Sequence, residues 1–176
     1  MIVLCFGLPF TGKQDFVAEQ GSFGIRFELD RSTHYSLDGT VSEVSEEVIE
    51  FTTQWILSMR MWGATHWIDT YPEYFSLQKM KRAVKNAFTN VFVIFAIPAD
   101  VDEYIHSAFS RVLKKGKFEM SNIGRWRRNM CTMYNQLLEV YNLWKSELGD
   151  RVFRIRSYED IEDVAKWEDF ITKCID

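Results

Sequence analysis

The first fifteen residues constrain the fold more than any other stretch of the chain. Residues 2–6, Ile-Val-Leu-Cys-Phe, are apolar at every position, which is typical of a strand buried on both faces of a parallel sheet. A G-x-x-x-x-G-K sequence follows at once, and residues 15–19 can begin a helix. Strand, loop and helix in this order form the P-loop, whose backbone N–H groups surround phosphate oxygens. The sequence therefore predicts a nucleotide-binding segment made of Gly7, Leu8, Pro9, Phe10, Thr11, Gly12, Lys13, Gln14 and Asp15.

The length and composition favour one globular domain over residues 1–176. Hydrophobic residues make up 47% of the chain, but no apolar run approaches the roughly 20 residues of a membrane span. The apolar N-terminal run lacks a preceding basic segment, so it does not resemble a signal peptide. The cysteines, Cys5, Cys131 and Cys174, are scattered and have no C-x-x-C spacing, which favours reduced thiols. These features predict a cytoplasmic protein, of a cell or of a phage-infected host, without a membrane partner.

Strands and helices alternate along the rest of the chain, which predicts a three-layer α/β/α sandwich around a parallel five-stranded sheet. The Ile2–Phe6 and Val91–Ile97 runs are the most uniformly apolar, so we expect the first of them at the centre of the sheet. The other predicted strands are 24–29, 65–68 and 152–155, and the predicted helices are 42–62 (capped by Ser42), 76–87, 99–113, 122–148 and 158–174.

Charge is distributed unevenly although the net charge is only −4. The segment 111–128 carries almost only basic charges, opposed by Glu119 alone. A local basic lid on an acidic protein suits an anionic substrate bound at one site. Its cations are Arg111, Lys114, Lys115, Lys117, Arg125, Arg127 and Arg128.

Phosphoryl transfer needs phosphate clamps, a metal ion, a base for the acceptor and cations near the developing charge. Lys13 is the candidate phosphate cation, and Arg111 is the candidate transition-state arginine or a helix C-terminal cation. Asp30 ends the second predicted strand and is the candidate base, with a turn cap as the alternative. Asp69 ends the third strand, where it could hold Mg²⁺, position the acceptor or form an Asx-turn.

Other side chains could bind the acceptor. Tyr71 could stack on a base or pack at the sheet edge, and Arg125 and Arg128 share a helix face that could grip phosphates or simply be solvated. Gln14 stands where a P-loop usually has the Ser or Thr that binds Mg²⁺, so Gln14 and Asp69 are the candidate metal ligands. The histidines show no metal-binding spacing.

With these residues in place, the chain resembles the kinase domain of phage polynucleotide kinase and related small nucleoside and nucleotide kinases, from Ile2 to about Tyr134. That family has a Gly-x-Pro-Gly-Ser-Gly-Lys-Ser loop, an Asp-Asp base segment and a third strand ending Asp-Thr-Asn. The corresponding segments here are 7–14, Asp30-Arg31 and Asp69-Thr70-Tyr71. The family also has a fourth strand ending Val-Pro before spaced arginines and a basic lid, as Ile97-Pro98 and Arg111 are here.

The resemblance implies an ATP- and Mg²⁺-dependent kinase that acts on a hydroxyl of a nucleoside, nucleotide or nucleic acid. The chain departs from the family at Gln14 and Arg31, and Thr33 or His34 stands where the family has an acceptor-binding arginine. The acceptor therefore need not be a 5′-phosphorylated end. Phage kinases that phosphorylate 5-hydroxymethyluracil within DNA are one variant, which would make the activity a DNA modification.

Two alternatives stay open. Sulfotransferases share this fold, and the chain is similar to them at Tyr158-Glu159-Asp160 and in the segment 69–75. Their loop, however, has a lysine where Phe10 stands and a Gly-Thr-Thr where Gly12-Lys13-Gln14 stands. Gln14 supports the second alternative, a nucleotide-binding protein without catalysis.

Overall fold

The computed structural model describes residues 1–20, 24–26, 44–59, 65–85, 90–114, 116 and 119–173. Its strands are β1 (Ile2–Gly7), β2 (Gly24–Arg26), β3 (His66–Asp69), β4 (Val91–Ala96) and β5 (Val152–Ile155). Its helices are α1 (Lys13–Glu19), α2 (Glu46–Ser58), α3 (Leu77–Lys85), α4 (Val101–Lys114), α5 (Ile123–Leu148) and α6 (Val164–Lys173). Short 3₁₀ turns cover Pro72–Tyr74, Met120–Asn122, Gly149–Arg151 and Tyr158–Asp160.

The five strands form one parallel sheet in the order β2-β3-β1-β4-β5. The central strand is β1, as its apolar sequence predicts, and Leu4 lies between Ile68 of β3 and Val93 of β4. Because all strands are parallel, their carboxyl ends share one edge of the sheet. The ends of β1, β3 and β4 are therefore neighbours there.

Alternate residues of β1 enter two separate cores. Leu4 and Phe6 pack on the side of α2, α3, α4 and α5, whereas Val3 and Cys5 pack on the side of α1 and α6. Both sets are fully buried. The sheet is thus covered on both faces, and the predicted three-layer α/β/α sandwich is confirmed.

Two predicted helix starts are wrong. The second helix begins at Glu46, where the Ser45 hydroxyl accepts a hydrogen bond from the Val48 N–H at 3.4 Å, so Ser45 caps it in place of Ser42. The last helix begins at Val164 and not at residue 158. Residues 158–160 form a 3₁₀ turn because the Tyr158 N–H bonds to Thr11 O in the first loop. Residues 27–29 of the second predicted strand lie outside the described residues.

No helix among the described ranges has the length and apolar character that crossing a membrane requires.

His66, at the start of β3, makes stability depend on pH. Its side chain is 5% exposed, and burial lowers the pKa of the imidazole because the interior disfavours its charged form. The unfolded chain therefore binds more protons than the folded chain just below the usual pKa of 6.5. Above that pH, His66 is neutral in both states, so we expect its titration to leave the free energy of unfolding unchanged. It should fall as the pH drops below it, by about 1.4 kcal/mol for each unit of pKa lowering.

Urea denaturation of the wild type and His66→Gln between pH 5 and 8 measures this dependence. The variant should lose less stability on acidification than the wild type. Equal losses in the two proteins would contradict the assignment to His66.

Candidate active site

Hydrogen bonds within the loop and to β4 fix the loop between β1 and α1. The Thr11 hydroxyl donates to Leu8 O at 2.7 Å, and the Leu8 N–H donates to Ala96 O at 3.3 Å. Gly12 has a left-handed backbone with φ of 73°, and Phe10 shares that region with φ of 67°. A Cβ on Gly7 would lie 2.8 Å from the Thr11 hydroxyl oxygen, so both loop glycines are sterically required.

A segment near the end of the chain supports this loop from below. The Tyr158 N–H and the Ser157 hydroxyl both donate to Thr11 O, at 2.9 and 3.1 Å. The buried Tyr158 hydroxyl lies 2.9 Å from Phe6 O and 3.0 Å from Ile94 O, where it ties the ends of β1 and β4 together. Burial raises the pKa of Tyr158 well above its usual value, so the phenol keeps the proton that it donates.

The buried Cys5 thiol lies beneath the same loop. Burial raises its pKa from 9.0 to about 12, so it stays protonated at neutral pH. Because the thiolate is the reactive form, Cys5 is a packing residue here and not a nucleophile.

The loop opens into a cavity of about 700 Å³. Every residue of the predicted nucleotide-binding segment lines it, and three residues complete the wall, one from the segment after β3 and two from α4. The lining residues are Gly7, Leu8, Pro9, Phe10, Thr11, Gly12, Lys13, Gln14, Asp15, Tyr71, Arg111 and Lys114. The structure thus brings two groups that the sequence places about 100 positions apart, the P-loop and Arg111, to one opening.

Lys13 joins the loop to the end of β3. Its Nζ lies 2.7 Å from Oδ1 of Asp69, donates to Thr70 O at 2.9 Å and lies 3.9 Å from the centroid of the Tyr71 ring. Lys13 is 6% exposed and Asp69 is 3% exposed, so this is a buried ion pair. Apart from Lys13, no described residue gives the Asp69 carboxylate a hydrogen bond. Asp69 therefore keeps free lone pairs at the edge of the phosphate-binding loop.

Arg111 reaches the cavity from the last turn of α4. One of its terminal nitrogens, Nη2, lies 2.6 Å from Oε2 of Glu159, which belongs to the segment beneath the loop. Lys114 follows one helical turn later and lines the same wall. Two cations of α4 therefore line the same cavity as the P-loop.

Two predicted site residues do not line the cavity, and a third is not among the described residues. Arg125 and Arg128 are exposed in the first two turns of α5 and do not line the cavity. Asp30 lies outside the described residues. Within the predicted basic lid at 111–128, residues 115, 117 and 118 also lie outside them.

The residues at this site fit a Mg²⁺ ion most of whose ligands are water molecules and phosphate oxygens. Mg²⁺ in nucleotide sites is bound by one or two carboxylates together with substrate phosphates, not by a full protein cage. Asp69 does not line the cavity itself but contacts Lys13, which does, and its buried oxygens have no other hydrogen-bond donor among the described residues. Gln14 lines the cavity. Over the described part of the chain, His, Cys, Asp and Glu form no cluster of three or more that could hold a metal by itself.

Sequence reasoning missed the support given by Ser157, Tyr158 and Glu159. The sequence predicts that the last helix starts at Tyr158, shortly after β5 ends at Ile155. A tyrosine flanked by polar residues at that position was the available signal. Its role became visible only through its contacts with Thr11 and Phe6.

No protein-family model and no curated protein matches the chain. Among solved structures, it is similar to a deoxyadenosine kinase from M. mycoides that was solved with the products dCMP and a flexible dCDP bound. The identity is 17%, the TM-score is 0.41, and the match covers 99% of this chain and 98% of that one.

Replacing Gly12 with alanine tests whether the loop geometry serves binding. A Cβ there would lie 2.9 Å from Cγ of Glu159, in addition to the left-handed strain. Gly149 is the matched control, because its φ is 57° but a Cβ there would meet nothing within 4 Å. We expect Gly12→Ala to lose about 1–2 kcal/mol of stability from left-handed backbone strain. Gly149→Ala should lose at least as much, because its ψ of −125° lies outside the left-handed helical region. Only Gly12→Ala should also weaken nucleotide binding.

Isothermal calorimetry with ATP, beside thermal unfolding, separates the two effects. Unchanged ATP affinity in Gly12→Ala would show that the loop is not the nucleotide site.

Proposed function

We propose that the chain is an ATP-dependent kinase that transfers the γ-phosphate to a hydroxyl of a nucleoside, a nucleotide or a nucleic acid. The observation that carries this proposal is that the whole P-loop, including Lys13, lines one cavity together with Arg111. Phosphoryl transfer is catalysed mainly by positioning and by cations placed around the transferred group. The cavity supplies both.

The loop and its lysine act on the donor. Backbone N–H groups of the loop donate hydrogen bonds to the phosphate oxygens, and Lys13 exchanges its contact with Asp69 for a phosphate oxygen. Arg111 and Lys114 line the cavity with the loop and offset the charge that develops on the transferred group. Thr11 keeps the loop closed while the ligand binds.

Asp69 and Gln14 would hold Mg²⁺ at this site, directly or through water. When bound, the ion offsets the charge of the donor phosphates. The exchange of Lys13 from Asp69 to phosphate also frees the carboxylate for this purpose.

The acceptor would bind on the side of β3. We assign Asp30 as the base that takes the proton of the acceptor hydroxyl, and Tyr71 as the side chain that contacts the acceptor. Tyr71 lines the cavity beside Lys13, which supports that assignment. Arg125 and Arg128 would contact phosphates of a longer acceptor such as DNA, including one with hydroxymethylated bases.

The sulfotransferase alternative rests on the Tyr158-Glu159-Asp160 segment and on residues 69–75. The position of the first of these segments is compatible with both interpretations. In this chain that segment supports the loop from below, a role that either activity would need. The identity of the donor therefore decides between the two activities.

The first experiment compares donors. Calorimetry with ATP and with 3′-phosphoadenosine 5′-phosphate should show tighter binding of ATP, because Lys13 occupies the Walker position and Phe10 stands where a sulfotransferase lysine would be. Lys13→Ala should abolish ATP binding. It should also lower stability by about 3–5 kcal/mol, because it leaves Asp69 buried without its cation.

The double variant Lys13→Ala/Asp69→Asn separates these effects. It should recover much of the stability without recovering ATP binding. Binding of the phosphoadenosine nucleotide alone would favour the sulfotransferase, and ATP binding by the double variant would refute the role of Lys13.

The second experiment tests the base by following transfer of radiolabelled γ-phosphate to nucleosides, nucleotides, DNA ends and DNA with hydroxymethylated bases. Asp30→Asn keeps the shape and removes the basicity, so turnover should fall by about 10²-fold or more with ATP affinity little changed. Asp38→Asn, in the same stretch of sequence, is the matched control and should stay active.

If Asp30→Asn keeps normal turnover and Asp69→Asn abolishes it, Asp69 is the base instead. If the wild type binds ATP but transfers phosphate to no acceptor, the chain is a nucleotide-binding protein without catalysis.

A further inference from the structure

Glu159 connects the arginine of the cavity to the phosphate-binding loop. Its carboxylate holds Arg111 at 2.6 Å, and its Cγ lies 2.9 Å from where a Cβ on Gly12 would be. Its own N–H donates to the Ser157 hydroxyl, which in turn donates to Thr11 O. Glu159 is therefore hydrogen-bonded to the same serine that bonds to the loop, and its carboxylate contacts the one arginine of α4.

The ion pair contributes little to stability. Arg111 is 33% exposed and Glu159 is 55% exposed, and pairs with that much solvent contact are weakened by water and salt. Its effect is on geometry, because a free arginine side chain samples many rotamers. An arginine has several N–H donors in a rigid fork, so one side can contact Glu159 while the others remain for phosphate.

Without Arg111, the negative charge of Glu159 should weaken phosphate binding instead of helping to position a cation for it. A carboxylate beside Gly12 repels a phosphate bound in the loop unless a cation neutralises it. Arg111 provides that neutralisation in the intact protein. The sign of a Glu159 substitution should therefore depend on whether Arg111 is present.

We infer that Glu159 is a positioning residue, which fixes Arg111 against the phosphate-binding loop so that its remaining donors face the transferred phosphate. This inference rests on the proposed kinase function. It concerns a residue that contacts neither phosphate nor acceptor itself but acts through Arg111.

The test is a double-mutant cycle of Glu159→Gln and Arg111→Ala, with ATP and the best acceptor of the transfer screen. Glutamine keeps the packing against Gly12 and removes the charge. We expect Glu159→Gln to lower kcat roughly tenfold or more, as misplacement of a reacting group does, with the KM for ATP and the thermal stability little changed. In the Arg111→Ala background the same substitution should cause no further loss of kcat, and it should strengthen ATP binding measured by calorimetry.

Asp102→Asn is the matched control. Asp102 also pairs α4 with an exposed arginine, Arg127, at 3.3 Å, but neither residue lines the cavity. This variant should keep the kcat of the wild type.

Two results would overturn the inference while leaving the kinase proposal intact. One is normal kcat in Glu159→Gln. The other is an equal loss of kcat from Glu159→Gln with and without Arg111, which would make Glu159 a support of the loop alone. If the wild type binds ATP without transferring phosphate, calorimetry still tests whether Arg111 neutralises Glu159. Equal ATP affinities of Arg111→Ala and of the double variant Arg111→Ala/Glu159→Gln would refute the inference. Absence of ATP binding by the wild type would refute the proposed function and this inference together.

Discussion

Hydrogen bonding of β1 between β3 and β4 is the constraint on which the rest of the site depends. It sets the end of β1 beside the ends of both neighbours, so that the loop after Gly7 meets Asp69 on one side and Ala96 on the other. The contact of Lys13 with Asp69 and that of Leu8 with Ala96 both follow from this register. A change in register by one residue would turn the buried side chains of β1 to the opposite faces of the sheet and separate these groups.

The buried ion pair of Lys13 and Asp69 also affects how tightly a ligand can bind. Two charges removed from water lose hydration, and their mutual attraction only partly compensates for that loss. A ligand phosphate that takes Lys13 must replace the Asp69 contact as well as the bond to Thr70 O. Binding therefore replaces one anion beside Lys13, the Asp69 carboxylate, with another, the ligand phosphate. The contact with Lys13 contributes to the free energy of binding only the difference between its interactions with these two anions.

Much of the fold could be predicted because the pattern of apolar and polar residues in each element matches its burial and position in the structure. The fully apolar β1 is central, and the P-loop lies where the strand–loop–helix pattern puts it. Contacts between distant segments could not be predicted in the same way. The Lys13–Asp69 pair requires knowing that β1 and β3 are neighbours, and sequence order alone does not give strand order. Residues 158–160 have a helical pattern, but the bond from the Tyr158 N–H to Thr11 O overrides it.

The dependence of the first loop on Ser157 and Tyr158 has a consequence for how the chain folds. Ser157 bonds to Thr11 of the loop, 146 positions earlier, and Tyr158 bonds to Phe6 of β1, 152 positions earlier. The segment that is synthesised first is therefore held in shape by residues that leave the ribosome much later. Contacts of such high sequence separation form late and slow the folding of a domain. During synthesis, the phosphate-binding loop therefore exists without its support until β5 has joined the sheet. Competence to bind the ligand should accordingly appear in one step near the end of folding, and not gradually as the chain grows.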